Sequence, residues 1–260
     1  MITSTSNNKI KNLSKCMKNA RERRKQDVFI VEGLRMFAEI PEEMHVETFA
    51  TEAFYERNKD LFHNISYELI AEHIMEAVSD TKTPQGVISM VKRYHYSMEQ
   101  VCRGGNPLIM ALENIQDPGN LGTIIRTAEG AGVTGIIMSQ DTVDIYNPKV
   151  VRATMGSVFR LPFCYAEDLT KCIGDFNGQG FQTYSAHLQG NSFYDYDYRK
   201  PTIFCIGNEG NGLSEELSNA TNTKIRIPMM GKVESLNAAT ASTVLMYEAM
   251  RQRTTQYRQN

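Results

Sequence analysis

Apolar residues recur along the chain with two periods. Residues 9–25 repeat at helical spacing, and Val28–Glu32 (VFIVE) then reads as a short strand running into a helix over Gly33–Ile40 that Pro41 ends. Phe49–Asn58 and Glu68–Ala77 also match the helical period, the second through Leu69, Ile70, Ile74, Met75 and Val78. Thr83–Gly86 forms a turn into a strand over Val87–Val91, so the first part of the chain predicts a small α/β domain. Periodicity is lost between Lys92 and Pro107. Strands predicted at 108–112, 134–138, 160–165, 181–186, 202–206 and 224–227 alternate with helices, which points to a mostly parallel sheet covered on both faces. The expected division is a first domain over 1–97, a linker over 98–106 and a second domain over 107–260.

Three of these strands share one design: each ends in an irregular loop that enters a helix. Leu108–Leu112 is followed by ENIQDPGN (113–120) and a helix over 121–131, with Asn120 placed as its N-cap. Leu121, Ile124, Ile125 and Ala128 form that helix's apolar stripe, and Arg126, about 140° from Leu121 at 100° per residue, points away from the core. Thr202–Ile206 leads into GNEGNG (207–212) and a helix capped by Ser214, with Glu215 and Glu216 favouring its dipole. Lys224–Ile227 is stopped by Pro228, and Ser235 stands as the N-cap of a helix opening Leu236, Asn237, Ala238, Ala239. The small side chains of that last helix admit another backbone closely. In parallel sheets ligands sit beyond the carboxyl ends of strands, where all three loops gather.

Charge adds a polarity to this picture. The chain of 260 residues has a net charge of −2, but residues 1–30 hold eight Lys or Arg against Glu22 and Asp27, so this arm carries +6 and the remainder −8. Such an arm suits a polyanion such as RNA through phosphate neutralisation, while a solvated helix face accounts for the same run equally well. Five cysteines at 16, 102, 164, 172 and 205 form no CxxC pair and no disulfide framework, which implies a reducing, cytoplasmic setting. Five scattered histidines, without HExxH, imply no metal site, and His73 reads as a surface residue. The amino terminus has no apolar leader and no run reaches the length of a membrane span, so a soluble protein with no membrane partner is expected. The absence of GxGxxG followed by an acidic residue disfavours a Rossmann-type enzyme.

In order, NLGTIIRTA from Asn120, IGNEGNGLS from Ile206 and IPMMGKVESLNAATA from Ile227 resemble the three motifs of the SpoU/TrmH family of RNA ribose 2′-O-methyltransferases, within the SPOUT superfamily. Together they span nearly all of residues 108–251. DVFIVEGLRMFAEI from Asp27 and SDTKTPQGVISMV from Ser79 are more loosely similar to the L30e-like substrate-binding domain that often precedes this catalytic domain. The resemblance implies a trefoil-knotted methyltransferase domain, S-adenosylmethionine as methyl donor, a homodimer, and RNA as partner, with ribosomal RNA (23S type) favoured over tRNA. It assigns Gly207, Ile227 and Leu236 to cofactor binding, and Asn120, Arg126, Glu209, Ser235 and Asn237 to catalysis.

Each assignment has a plainer counterpart. Gly207 alone means only a turn, Arg126 a surface salt bridge, and Glu209 a loop carboxylate in solvent. Asn120, Ser235 and Asn237 serve equally as caps or loop-fixing residues. A guanidinium is effectively always charged, so Arg126 is better suited to clamp the target phosphate and stabilise a developing oxyanion than to accept a proton. Three functions are compatible with the residues: an RNA 2′-O-methyltransferase acting on rRNA or tRNA, a non-catalytic RNA-binding or ribosome-assembly factor, and a nucleotide-binding enzyme of small molecules.

Overall fold

In the computed structural model, which describes residues 1–255, the chain forms two units: Met1–Tyr94 with Asp144–Phe159, and His95–Val143 with the chain from Arg160 onward. The first unit begins with two helices, Asn8–Lys18 and Ala20–Gln26. The helical pattern over 9–25 is broken at Asn19, whose extended backbone ends the first helix while its side chain accepts the Arg21 N–H and caps the second.

Four strands follow: β1 (Val28–Glu32), β2 (His45–Thr51), β3 (Tyr67–Ile70) and β4 (Val87–Lys92), in the order β1-β4-β2-β3. Ile10, Leu13, Cys16 and Met17 of the first helix pack on Val28, Ile30, Phe49, Ile74 and Ile88. Two predicted helices here are strand–helix pairs instead. Phe49–Thr51 ends β2, and the helix starts only at Glu52, capped by the Thr51 hydroxyl. Tyr67–Ile70 is β3, and the helix runs from Glu72 to Val78. In both places the apolar residues keep helical spacing across the strand–helix boundary. Sheet pairing of β2 with β3 and β4 decides the conformation of Phe49 and Ala50, both fully buried.

Residues 144–159 return to complete this unit. Asp144 meets the buried Arg23 guanidinium at 2.6 Å, and Arg23 also donates to the Cys16 carbonyl at 3.0 Å. The buried Tyr146 ring lies 4.7 Å from that of Phe29, with the Arg93 guanidinium 4.8 Å from its centre on the ring face.

The second unit is built on six parallel strands: β5 (Leu108–Leu112), β6 (Gly135–Ser139), β7 (Phe163–Ala166), β8 (Gln182–Ser192), β9 (Thr202–Ile206) and β10 (Thr223–Arg226). Their order is β10-β8-β9-β5-β6-β7, and every neighbouring pair is parallel, as the alternating pattern predicts. β5 and β9 are buried throughout and run side by side in register, Leu112 opposite Ile206. The chain goes from β5 to β6 and β7 on one side and then crosses to the other, so the switch point lies where β5 and β9 end. Helices Pro118–Gly130, Leu169–Gly178, Glu215–Ala220 and Ala238–Thr255 belong to this unit, as does a helical turn over Met98–Val101. β8 is longer than predicted because residues 186–190 leave the ladder: Lys224 pairs with Ser185, and Ile225 with Asn191. A Cβ on Gly190 would stand 2.5 Å from the Ile225 backbone, so that detour closes only on glycine.

Removing Asp144 leaves the buried Arg23 charge uncompensated. Asp144→Ala is therefore expected to destabilise the first unit by about 3–5 kcal/mol, read as a lower urea midpoint for the first unfolding transition.

Candidate active site

Three loops meet beyond the ends of β5, β9 and β10. In the first, Asn114 takes a left-handed backbone (φ 55°), held by two bonds with Ser139: its N–H donates to Oγ and its Oδ1 accepts from the hydroxyl, both at 2.9 Å. Asp117, not Asn120, caps the next helix, accepting the Asn120 N–H at 2.7 Å, and Pro118 occupies the first helical position. With Asp117 as the cap, the Asn120 side chain is free to bond elsewhere. In the second loop Asn208 and Gly212 exchange backbone hydrogen bonds at 3.0 and 2.9 Å, while Asn208 Oδ1 accepts from the Gly210 and Asn211 N–H groups. A Cβ on Gly207 would lie 2.1 Å from the Gly212 carbonyl carbon, so no side chain fits there. The Glu113 carboxylate then accepts both the N–H and the hydroxyl of Ser214 at 2.7 Å, joining the first loop to the second.

The third loop enters its helix later than predicted. Asn237 is the cap, accepting the Ala239 and Thr240 N–H groups at 2.9 and 3.3 Å, and Ser235 is an exposed loop residue.

The second and third loops enclose a cleft of about 470 Å³, and the first loop reaches only its edge. Gly207, Ile227 and Leu236 all line it, as do Glu209 and Ser235. Its apolar wall comes from Ile206, Leu213, Ile225 and Ala241, and residues 186–189 of the β8 detour close one side. At its edge the Asn237 amide donates to Asn120 Oδ1 at 3.0 Å, and the Asn120 amide donates to Glu209 Oε1 at 2.8 Å. One side chain from each loop region thus forms a single polar chain, so Asn120, Glu209 and Asn237 come together. Arg126 is exposed, six residues along the helix from Asn120, does not line the cleft and has no side-chain partner among the described residues.

Glu113, Asn114, Asn208 and His187 were not singled out from the sequence. Glu113 and Asn114 stand directly after a buried strand, a position that itself signals loop fixation. His187 lines the cleft, and its Nδ1 accepts the Gln189 N–H at 3.1 Å, which leaves the proton of the neutral ring on Nε2. All five cysteines are free. Burial pushes the Cys102 and Cys172 thiols up to about 11 and Cys164 to about 12, so these groups stay protonated at neutral pH and do not act as nucleophiles. Among the described residues no cluster of His, Cys, Asp or Glu is placed to hold a metal, and no helix is long and apolar enough to cross a membrane.

Residues 107–247 match the SpoU rRNA methylase family, and residues 7–89 match the MRM3-like substrate binding domain. The chain belongs to the SpoU rRNA methylase family. A Synechocystis protein described as an uncharacterised tRNA/rRNA methyltransferase is 38% identical over 188 residues, 71% of this chain and 67% of that protein. The 23S rRNA (guanosine(2553)-2′-O)-methyltransferase RlmP of Bacillus subtilis is 29% identical over 248 residues, covering 95% of this chain and 97% of that one. A crystal structure of an AdoMet-bound rRNA methyltransferase from Sinorhizobium meliloti aligns with a TM-score of 0.81 at 29% identity, over 96% of this chain and 97% of that one.

Three variants separate shape from chemistry here. Gly207→Ala must displace the Gly212 backbone and is expected to abolish ligand binding in the cleft, measured by titration calorimetry with S-adenosylmethionine. Asn237→Ser keeps a capping oxygen, so its melting temperature should match wild type, whereas Asn237→Ala should cost about 1 kcal/mol; both lose the amide link to Asn120.

Proposed function

We propose that this chain is an S-adenosylmethionine-dependent RNA methyltransferase that modifies a ribose 2′-hydroxyl, with 23S-type ribosomal RNA preferred over tRNA as substrate. The observation that carries it is the convergence of Gly207, Ile227 and Leu236 on one cleft, within a chain of the SpoU rRNA methylase family.

The residues present fit the cofactor. A cleft of about 470 Å³ suits a ligand of nucleoside size, its aliphatic wall suits a purine, and the space a Cβ at Gly207 would claim is given to backbone. Gly207, Ile227 and Leu236 hold the cofactor, mostly through main-chain groups. When bound, it supplies an electrophilic methyl group on a sulfonium centre.

The remaining work falls to this chain's side chains. Transfer needs the 2′-oxygen held in line with that methyl group, a positioning task worth several kcal/mol. Asn120 and Asn237 fix the Glu209 carboxylate at the cleft edge, where it orients the ribose, with Ser235 beside it. Arg126, permanently charged and unpaired among the described residues, clamps the target phosphate and stabilises negative charge developing on the 2′-oxygen.

A homodimer, a trefoil knot in which the chain after the last strand is threaded through a loop, and a cytoplasmic location belong to the same proposal. The exposed Met230, Val233 and Tyr247 support a second copy against the third loop and last helix, and five free cysteines support a reducing compartment.

Incubating the chain with 23S rRNA from a strain lacking it and a labelled methyl donor is expected to place label on ribose. Unlabelled ribose despite demonstrated donor binding would exclude the activity. Arg126→Ala should lower kcat by about 10²–10³, comparable to losing one oxyanion-stabilising donor, with donor affinity unchanged.

A further inference from the structure

The eight cations of the amino-terminal arm are not equivalent in the fold. Lys9 is held between Glu47 and Glu68, at 2.7 and 2.5 Å, and Arg23 is buried against Asp144. Both are consumed internally. Lys11, Lys15, Lys18, Arg21, Arg24 and Lys25 are exposed and have no side-chain partner among the described residues.

Their phase on the two helices is specific. On the first helix Lys11, Lys15 and Lys18 fall within an arc of about 60°, opposite the face that buries Ile10, Leu13, Cys16 and Met17. On the second, Arg21, Arg24 and Lys25 share an arc of about 100° on the side away from Arg23. The first three span about 10 Å at 1.5 Å per residue. A surface of six unneutralised cations stands out on a chain whose other residues sum to −8, so its field orients a polyanion toward this face.

We propose that the outer faces of helices Asn8–Lys18 and Ala20–Gln26 form the docking surface for the phosphate backbone of the substrate RNA, with these six side chains as its phosphate contacts. The inference rests on the proposed RNA methyltransferase function and, within the segment that matches the MRM3-like substrate binding domain, assigns the face and the side chains that meet RNA. An anionic membrane is the poorer partner: the apolar face of the first helix is spent on the unit's own core, and neither helix exposes a large apolar side chain for insertion. Because the contacts are electrostatic, they position RNA without reading bases.

The test is equilibrium binding of protein-free 23S rRNA to the full chain without methyl donor, over about 50–200 mM KCl. Replacing Lys11, Lys15 and Lys18 together by Gln is expected to reduce the slope of log Kobs against log[salt] by about 2–3, at about 0.7–0.9 per lost phosphate contact. The same change at Lys149, Lys171 and Lys200, also exposed, should leave the slope at its wild-type value. In turnover the arm variant should raise KM for RNA with kcat unchanged. Melting curves that overlay wild type establish that the arm variant is folded, and Arg21→Gln with Arg24→Gln provides a second variant with an expected slope change of about 1.4–1.8. An unchanged slope in both arm variants, or an equal fall in the control, overturns the proposal. Should wild type show the expected binding pattern yet transfer no methyl group, the surface stands and the enzymatic function falls; methyl transfer with an unchanged slope has the opposite meaning.

Discussion

At Gly207 the backbone leaving β9 passes so near Gly212 that a single added carbon would sit 2.1 Å from a carbonyl carbon. That steric constraint shapes the cleft. The loop must double back immediately after a fully buried strand, and it does so through the paired backbone bonds of Asn208 and Gly212. Once it is closed, Glu209 is carried to the cleft edge and Ser214 reaches Glu113, which ties the end of β9 to the end of β5. Buried strands in register supply the rigid base from which these short loops project.

The polar chain Asn237–Asn120–Glu209 depends on how the helix ends are satisfied. Asp117 and Pro118 meet the needs of one helix start, so Asn120 has its amide to spare. Asn237 uses its oxygen on the cap and its nitrogen on Asn120, so one side chain both begins a helix and fixes the next loop. Stability and geometry are coupled at that residue.

The parallel sheet was legible because its central strands β5, β6 and β9 are nearly continuous apolar runs separated by helical stretches, and the three loops stood out because Gly, Asn and Pro cluster there. In the first unit Phe49–Asn58 and Glu68–Ala77 misled, since residues flanking a strand–helix boundary can keep helical spacing with no helix across it. Asn120 and Ser235 were misread as caps because several capping-competent residues stand within a few positions of each helix start, and hydrogen bonds alone choose among them. The detour at 186–190 was invisible because its cause, the close pass of Gly190 over Ile225, lies about 35 residues away in the chain. Charge counting found the basic arm; distinguishing its inward Arg23 from its outward neighbours required Asp144, far along the chain.

The discontinuity of the first unit bears on how the protein is made. Arg23 and Phe29 leave the ribosome early, yet Asp144 and Tyr146 are not translated until β5 and β6 have been. At about 5–20 residues per second, the nascent amino-terminal sheet waits several seconds with a bare cation and an uncovered aromatic face. Synthesis of this chain therefore leaves Arg23 and Phe29 without their partners until residues 144–159 have followed.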